Sequence, residues 1–158
     1  IRDRFRIPIV SLVDEPGFLI GPDAERAGTI LHGTEAVLAT TESKVPWTTI
    51  MIRKSFGVAA AAHYGPDGYV LAWPSAESGP LPLEGGVAVA FKKEIASAKN
   101  PEAKRKELEE KMAKNQSPFP RAEAFSVHEI IDPRETRKYI ALWAERIQSQ
   151  LKASLMNR

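Results

Sequence analysis

Apolar positions along the first half of the chain form short β-rich runs and one longer stretch of helical period. Residues 7–13, 45–52 and 69–74 are rich in β-branched and aromatic side chains and end at polar or turn-forming residues. Such runs are typical of buried strands. Residues 22–42 instead repeat apolar side chains close to every 3.6 residues, and Pro22 suits a first helical turn. The pattern therefore predicts a strand, a helix and two further strands.

The second half is predicted to be mainly helical. A loop at 79–86, rich in glycine and proline, precedes a partly buried helix at 87–98. Asn100 and Pro101 cap a charged helix that ends near residue 115, and its charges favour a solvated surface over a recognition patch. A short strand at 125–131 then leads to a last helix opened by Asp132. Its apolar stripe consists of Ile140, Trp143, Ile147, Leu151 and Leu155.

This alternation of strands and helices predicts the α/β class, with helices packed on a sheet in a single domain. The chain has 158 residues, of which 43% are hydrophobic, and this is enough for one core. The 22 basic and 20 acidic side chains leave a net charge of +2, which is too small to predict a nucleic-acid or membrane partner. No apolar run approaches the roughly 18 residues of a membrane-spanning helix.

Cysteine is absent, so disulfides, thiolate metal ligands and a cysteine nucleophile are excluded. This composition fits a reducing compartment. The three histidines, His32, His63 and His128, lie far apart without a metal-ligand spacing, so no metal site is predicted. Residues 1–6 are predicted to be the last turns of a helix and lack the features of a signal peptide. We therefore expect the chain to be a piece of a longer protein.

The best local candidate for chemistry is the sequence Gly57-Val58-Ala59, which follows the second strand. A glycine-led turn at a helix start leaves backbone N–H groups without intrahelical partners, and the helix dipole there favours negative charge. Such donors can stabilise an oxyanion. The alternative is an ordinary strand–helix turn with small residues for packing, and the local pattern alone favours it.

Other polar and aromatic residues have weaker functional signals. Asp14 and Glu15 could form an acid/base pair, although carboxylates at such a place more often accept backbone hydrogen bonds in a turn. His63 could lie near a site or cap a helix end. His32, within the first predicted helix, is expected to be packed and hydrogen-bonded. Phe18 and the three tryptophans are expected in the core.

Six short motifs follow one another along nearly the whole chain. They are DEPGFLIG at 14–21, GTILHG at 28–33, FGVA at 56–59, AWPSAE at 72–77, SPF at 117–119 and IDPRETR at 131–137. In this order they resemble the β-type carboxyltransferase subunits of biotin-dependent acyl-CoA carboxylases. The corresponding family patterns are D-x-P-G-F-x-x-G, G-x-I-x-H-G, Y-G-G-A, A-W-P-x-A-E, N-P-F and I-x-P-x-x-T-R.

The resemblance implies a crotonase-like fold, a β-β-α superhelix, and equates the chain with the C-terminal half of a two-domain subunit. The N-terminal half would hold CoA and supply the thioester oxyanion hole, while the C-terminal half contacts biotin. The complete site would form where one subunit's N-terminal half meets another's C-terminal half. Members of the family are oligomers built from trimeric rings, as in a hexamer.

The resemblance also implies a mechanism that relies on main-chain donors. A biotin carboxylase subunit would carboxylate the biotin of a biotin carboxyl carrier, which would deliver carboxybiotin to the site. The ureido oxygen of biotin would gain negative charge as CO2 is released. The amides of Val58 and Ala59 would donate to that oxygen, and Gly57 would allow the turn. The biotin nitrogen would then take the α-proton of the acyl-CoA, and the resulting enolate would attack the CO2. The residues expected to wall the biotin pocket are Pro16, Gly17 and Phe18.

The chain departs from the family pattern beside the proposed hole. Val58 replaces the second glycine, which adds bulk but keeps the amide donor. Ala60 and Ala61 stand where the family often has an aromatic residue and an aspartate that helps to choose the acyl chain. Alanine at 61 predicts a roomier pocket, and with it a longer or branched acyl-CoA substrate. The loop at 79–86 also differs from the common A-V-M-G version.

Three other interpretations remain open. A biotin-dependent decarboxylase or transcarboxylase would use the same local chemistry in reverse. The chain could also be a structural half-domain that is inactive alone. A generic crotonase-like hydratase or hydrolase is disfavoured by the biotin motifs. The expected location is the cytoplasm, or the mitochondrial matrix in a eukaryote.

Overall fold

A computed structural model describes residues 5–156, except for the side chains of Glu84, Gln150 and residues 153–156. Most of the helical end predicted for residues 1–6 falls outside this range, and so does the side chain of Leu155.

Strands within this range form one parallel sheet. They are β1 (Ile9–Glu15), β2 (Trp47–Phe56), β3 (Tyr69–Ala72), β4 (Glu77–Gly79) and β5 (Glu129–Ile130). The order across the sheet is β1-β2-β3-β5. Strand β2 is longer than predicted, because beyond its pairing with β3 it continues to Phe56 and pairs there with β4. The predicted α/β class is confirmed.

Helices connect the strands and cover the sheet, as the parallel pairing requires. They are α1 (Pro22–Arg26), α2 (Thr29–Thr41), α3 (Gly57–Ala61), α4 (Leu83–Ala90), α5 (Lys92–Ser97), α6 (Pro101–Gln116), α7 (Pro118–Glu123) and α8 (Thr136–Met156), with a 3-10 turn at Pro133–Glu135 before α8. The predicted cap of α6 is confirmed, since the Asn100 side chain accepts a hydrogen bond from the Ala103 amide at 3.1 Å.

The core lies on both faces of the sheet, because successive residues of a strand point to opposite sides. On one face, Met51, Val70, Ala72, Ala76 and Val127 pack together. On the other face, Ile50, Leu71 and Ile131 pack against the ring of Trp73 and the start of α8. Trp47 and Trp143 are also buried, so the expectation that the tryptophans belong to the core is confirmed.

The helix predicted over residues 22–42 is interrupted. Gly28 adopts a left-handed φ of 70°, and this conformation ends α1 and starts α2. The stretch after Gly28 also differs in burial. His32 is exposed rather than packed, with its Nδ1 3.4 Å from Glu35, and Ile30 and Leu31 are each more than 60% exposed.

The region after β3 contains more secondary structure than predicted. The predicted loop at 79–86 holds the end of β4 and the start of α4, and the helix predicted at 87–98 is broken at Phe91. The strand predicted at 125–131 shrinks to two residues. Phe125, which follows the unpredicted helix α7, has a left-handed φ of 56° and therefore cannot continue a strand.

Candidate functional site

The junction between β2 and α3 is a sharp turn at the carboxyl end of the sheet. Phe56 ends β2 with its side chain 1% exposed. Gly57 follows with φ 64°, a left-handed conformation that glycine adopts without steric cost. A Cβ atom at this position would lie 3.4 Å from the Pro80 carbonyl oxygen. The glycine is therefore needed for the backbone conformation, whereas the neighbouring loop lies at van der Waals distance.

The first turn of α3 presents main-chain donors. No side chain caps this helix, and the first amides of a helix have no intrahelical acceptor. No hydrogen bond joins the amides of Val58 and Ala59 to another element of the described chain. The Val58 side chain is 65% exposed, whereas Ala59 is 4% exposed. The amides of Val58 and Ala59 therefore remain the candidate donors of this turn.

A cavity of about 320 Å³ lies beside this turn, at the carboxyl ends of β2 and β4. Ligands of open α/β sheets commonly bind at the carboxyl ends of the strands. Gly57 and Ala61 line the cavity, whereas Val58 and Ala59 are not among its lining residues. The lining residues are Met51, Ser55, Gly57, Ala60, Ala61, Tyr64, Val70, Ser78, Gly79, Arg121, Ser126 and Val127.

The polar side chains that line the cavity were not predicted as site residues from the sequence. The hydroxyls of Ser55 and Tyr64 are hydrogen-bonded at 2.7 Å. Burial raises the pKa of the Tyr64 hydroxyl, while this hydrogen bond acts in the opposite direction. Ser78 and Arg121 complete the polar lining. These residues come from four separate segments, so no local spacing signals them.

Phe18 does not line the cavity. Its ring packs on α2 at Gly33, where an added Cβ atom would lie 2.2 Å from the ring. Gly33 is buried, and its missing side chain makes room for the aromatic ring. Phe18 is half-buried there, in agreement with the packing role expected from its chemistry. Pro16 and Gly17, the other predicted pocket residues, also lie outside the lining of the cavity.

The carboxylates at the end of β1 both accept hydrogen bonds, and the turn interpretation is confirmed for Glu15, whereas the partners of Asp14 lie in β2. Asp14 accepts from Arg53 Nε at 3.0 Å and from the Lys54 amide at 3.2 Å. Glu15 Oε1 accepts from the Gly17 amide at 2.9 Å. The hydrogen bonds from Arg53 and from the Lys54 amide hold the pKa of Asp14 below its ordinary value of 3.8.

Asp14→Asn is expected to destabilise the fold at pH 7 by less than about 1 kcal/mol, because the pair with Arg53 is largely exposed. A depressed pKa means that the carboxylate stabilises the folded state above pH 3.8 and loses this effect as the pH falls through the lowered pKa. Urea unfolding at pH 7 and pH 3 measures the difference. Asp23→Asn, at an exposed carboxylate, is the control. If the loss of unfolding free energy in Asp14→Asn is the same at pH 7 and pH 3, the lowered pKa of Asp14 is contradicted.

His63 lies just beyond α3 and outside the cavity. Its Nδ1 is 3.2 Å from the Ser11 hydroxyl, and its carbonyl oxygen accepts hydrogen bonds from Trp47 Nε1 at 2.9 Å and from the Thr49 hydroxyl at 2.8 Å. These contacts tie the end of α3 to β1 and β2. His63 therefore has a structural role in positioning the helix.

A larger cavity, of about 820 Å³, lies at the opposite end of the sheet. Trp47 and Tyr69, the first residues of β2 and β3, line it together with Trp143 of α8. None of the predicted site residues reaches it. Its size alone therefore does not make it the site of the chemistry that the motifs imply.

The described residues offer neither a metal site nor a membrane-spanning helix. Across residues 5–156, no three carboxylate or imidazole side chains come close enough to hold one metal ion. Within the same range, no helix has the length and apolar character needed to cross a bilayer.

The parallel sheet and its helices place the chain in the crotonase-like class of α/β domains, with a glycine-led helix start beside a cavity. The chain belongs to the carboxyl transferase domain family, since the model of that family matches residues 1–157.

Curated relatives agree with this assignment. The methylmalonyl-CoA carboxyltransferase 12S subunit of Propionibacterium freudenreichii subsp. shermanii is 41% identical over 143 residues, which are 88% of this chain and 27% of that protein. The propionyl-CoA carboxylase carboxyltransferase subunit of Haloferax mediterranei is 36% identical over 156 residues, which are 96% of this chain and 30% of that protein. The chain thus spans less than a third of each of these relatives.

Solved structures share the same fold. The transcarboxylase 12S structure, described as a hexamer assembly with methylmalonyl-coenzyme A and methylmalonic acid bound, matches 94% of this chain and 29% of its own with a TM-score of 0.85 and 39% identity. The β subunit of geranyl-CoA carboxylase from P. aeruginosa matches 91% of this chain and 29% of its own with a TM-score of 0.81 and 21% identity, a likeness of fold alone. The predicted crotonase-like fold is confirmed.

Proposed function

We propose that the chain is the biotin-facing half of a carboxyltransferase that moves a carboxyl group between carboxybiotin and the α-carbon of an acyl-CoA. The observation that carries this proposal is the start of α3. There Gly57 turns the chain so that the amides of Val58 and Ala59 lack protein acceptors beside a cavity. Family membership, given above, makes biotin chemistry the first choice for such donors.

The residues of the chain fit a biotin head group. Biotin, when bound, supplies the carboxyl group and a ureido oxygen that becomes more negative during transfer. The Val58 and Ala59 amides would donate to that oxygen, and fixed donors of this kind need no reorganisation as charge develops. The cavity, at about 320 Å³, falls at the lower end of the size range of small-molecule sites. Pro16, Gly17 and Phe18 are proposed to close the pocket from the β1–α1 side.

The remaining parts of the enzyme are proposed to come from elsewhere. Because the chain spans less than a third of its relatives, we assign CoA binding and the thioester oxyanion hole to an N-terminal carboxyltransferase half. A biotin carboxyl carrier and a biotin carboxylase would be the other partners, in a homo-oligomer of trimeric rings. A decarboxylase or transcarboxylase that uses the same site in reverse is the alternative. The cytoplasm, or the mitochondrial matrix in a eukaryote, is the proposed compartment.

The substrate is proposed to be larger than acetyl-CoA. Ala61 lines the cavity and contributes only a methyl group there. The relatives named for propionyl-CoA and methylmalonyl-CoA already act on acyl groups beyond acetyl. A short side chain at this position leaves space for a longer or branched acyl chain.

An assay of carboxyl transfer to a panel of acyl-CoAs tests the proposal. The enzyme contains this chain together with an N-terminal carboxyltransferase half, and free biotin serves as the carrier. Biotin-dependent turnover is expected with propionyl-CoA and longer acyl-CoAs, and none with the isolated 158-residue chain, since the proposal assigns CoA binding to the other half. Strict preference for acetyl-CoA contradicts the substrate proposal, and biotin-independent turnover contradicts the function.

A further inference from the structure

Three buried polar side-chain atoms have no hydrogen-bond partner in the described part of the chain. They are Ser78 Oγ, Gln116 Oε1 and Arg121 Nε. Buried polar atoms in native proteins are nearly always paired, so each exception needs an explanation. Two of the three residues, Ser78 and Arg121, line the cavity beside Gly57. Their hydrogen bonding is therefore left to a molecule in the cavity, either water or a ligand.

Arg121 brings a permanent positive charge to this cavity. Its guanidinium is cationic, and its five N–H groups can only donate. Arg121 forms no ion pair with any side chain that the structure describes. Among the described residues, no aspartate or glutamate lines the cavity. A partly buried cation without a nearby carboxylate is costly, and an anionic ligand would remove that cost.

Ser78 adds a second, independent donor. It lies on β4, its side chain is 4% exposed, and its hydroxyl has no partner. The hydroxyls of Ser55 and Tyr64 lie in the same lining and bond to each other. The polar part of the cavity therefore combines one guanidinium with several hydroxyls. The rest of the lining, which includes Met51 and Val70, is apolar and suits a hydrocarbon body.

We propose that Arg121 and Ser78 bind the carboxylate of a ligand held in the cavity beside Gly57. A guanidinium matches a carboxylate with two parallel hydrogen bonds, which gives orientation as well as affinity. The Ser78 hydroxyl would donate to the same group. The identity of the ligand rests on the proposed function. If that function holds, the bound carboxylate is the group being transferred, and Arg121 and Ser78 are positioning residues for it.

Titration of the 158-residue chain with malonate, followed by amide chemical shifts, tests the carboxylate site. Arg121→Gln is expected to weaken malonate binding at least tenfold, Arg121→Lys less, because a point charge keeps attraction but not the paired geometry. Ser78→Ala is expected to weaken it a few fold. Arg105→Gln is the matched control, since Arg105 lies on the exposed side of α6 paired with Glu109, and should leave affinity unchanged. Thermal melting verifies that each variant is folded.

Several outcomes would overturn the inference. The first is a wild-type chain that does not respond to millimolar malonate, and the second is equal malonate affinity in the wild type and Arg121→Gln. The third is neutral malonamide that binds as tightly as malonate, and the fourth is inorganic phosphate that binds more tightly than malonate. A parallel titration with biotinamide, the form of biotin whose side chain carries no carboxylate, separates this inference from the proposed function. A response to malonate that depends on Arg121, without any response to biotinamide, supports the carboxylate site and contradicts the biotin assignment. The reverse pattern contradicts the carboxylate site alone.

Discussion

Val58→Pro is expected to slow carboxyl transfer by roughly 10²–10³-fold in the assembled enzyme, because it deletes one of the two proposed donors to the ureido oxygen. Proline lacks the amide hydrogen, yet it is tolerated in the first turn of a helix, where that hydrogen has no intrahelical partner. The Val58 side chain is mostly exposed, so its loss should cost little packing. The measurement is kcat for carboxyl transfer between biotin and a saturating acyl-CoA, in either direction.

Val58→Ala is the matched control, because it shortens the side chain but keeps the amide. Its kcat should stay within a few fold of the wild type. Melting temperatures of the two variants should be similar, since α3 is retained in both. A Val58→Pro enzyme that is folded and as active as Val58→Ala would remove the amide from the mechanism and, with it, the main support for the proposed function.

Phe56→Ala is expected to destabilise the fold by about 3–5 kcal/mol, the usual range for deleting a fully buried aromatic ring. The ring is 1% exposed and packs close to Gly79 of β4. Total stabilities of small domains are about 5–15 kcal/mol, so the loss is a large share of the whole. Urea unfolding with a circular dichroism readout measures it.

Phe119→Ala provides the comparison for Phe56, because the Phe119 side chain is 54% exposed. Its effect on the free energy of unfolding should stay within about 0.5 kcal/mol. Equal effects of the two substitutions would mean that Phe56 does not anchor the end of β2. In that case the position of Gly57 would have to be fixed by other contacts.

The strands and the charged helix could be predicted from the sequence because their signals are local. Residues 45–52 were predicted to form a buried strand, and the residues of β2 from Trp47 to Met51 are indeed buried on both faces of the sheet. Asn100 and Pro101 set the start of α6 by capping chemistry that involves only neighbouring residues. The turn at Gly57 was also predictable, since a glycine between a strand and an alanine run suggests a left-handed residue at a helix start.

The errors have tertiary causes. Strand β4 has three residues, and it exists because it pairs with the end of β2, a partner that local composition does not reveal. His32 and its apolar neighbours on α2 follow a helical period yet are exposed, because no described element covers that face. Helical period shows that a helix is amphipathic but not what it packs against.

The candidate site was only partly predictable for the same reason. Gly57 and Ala61 were identified and do line the cavity, whereas Pro16, Gly17 and Phe18 lie apart from it and remain proposed pocket residues. Ser78 and Arg121 are far apart in sequence and belong to different elements. Only the folded sheet brings them together, and only their missing partners distinguish them from ordinary polar residues.

The parallel pairing of the sheet has a consequence for how fast the chain folds. Ile9 pairs with Trp47, and Leu71 pairs with Glu129, so no strand pair can form by closing a short hairpin. Closing such long loops costs entropy before any pairing repays it, which slows folding and prolongs exposure of open strand edges. Refolding should therefore lag behind that of a helical bundle of equal length, with aggregation as the competing outcome.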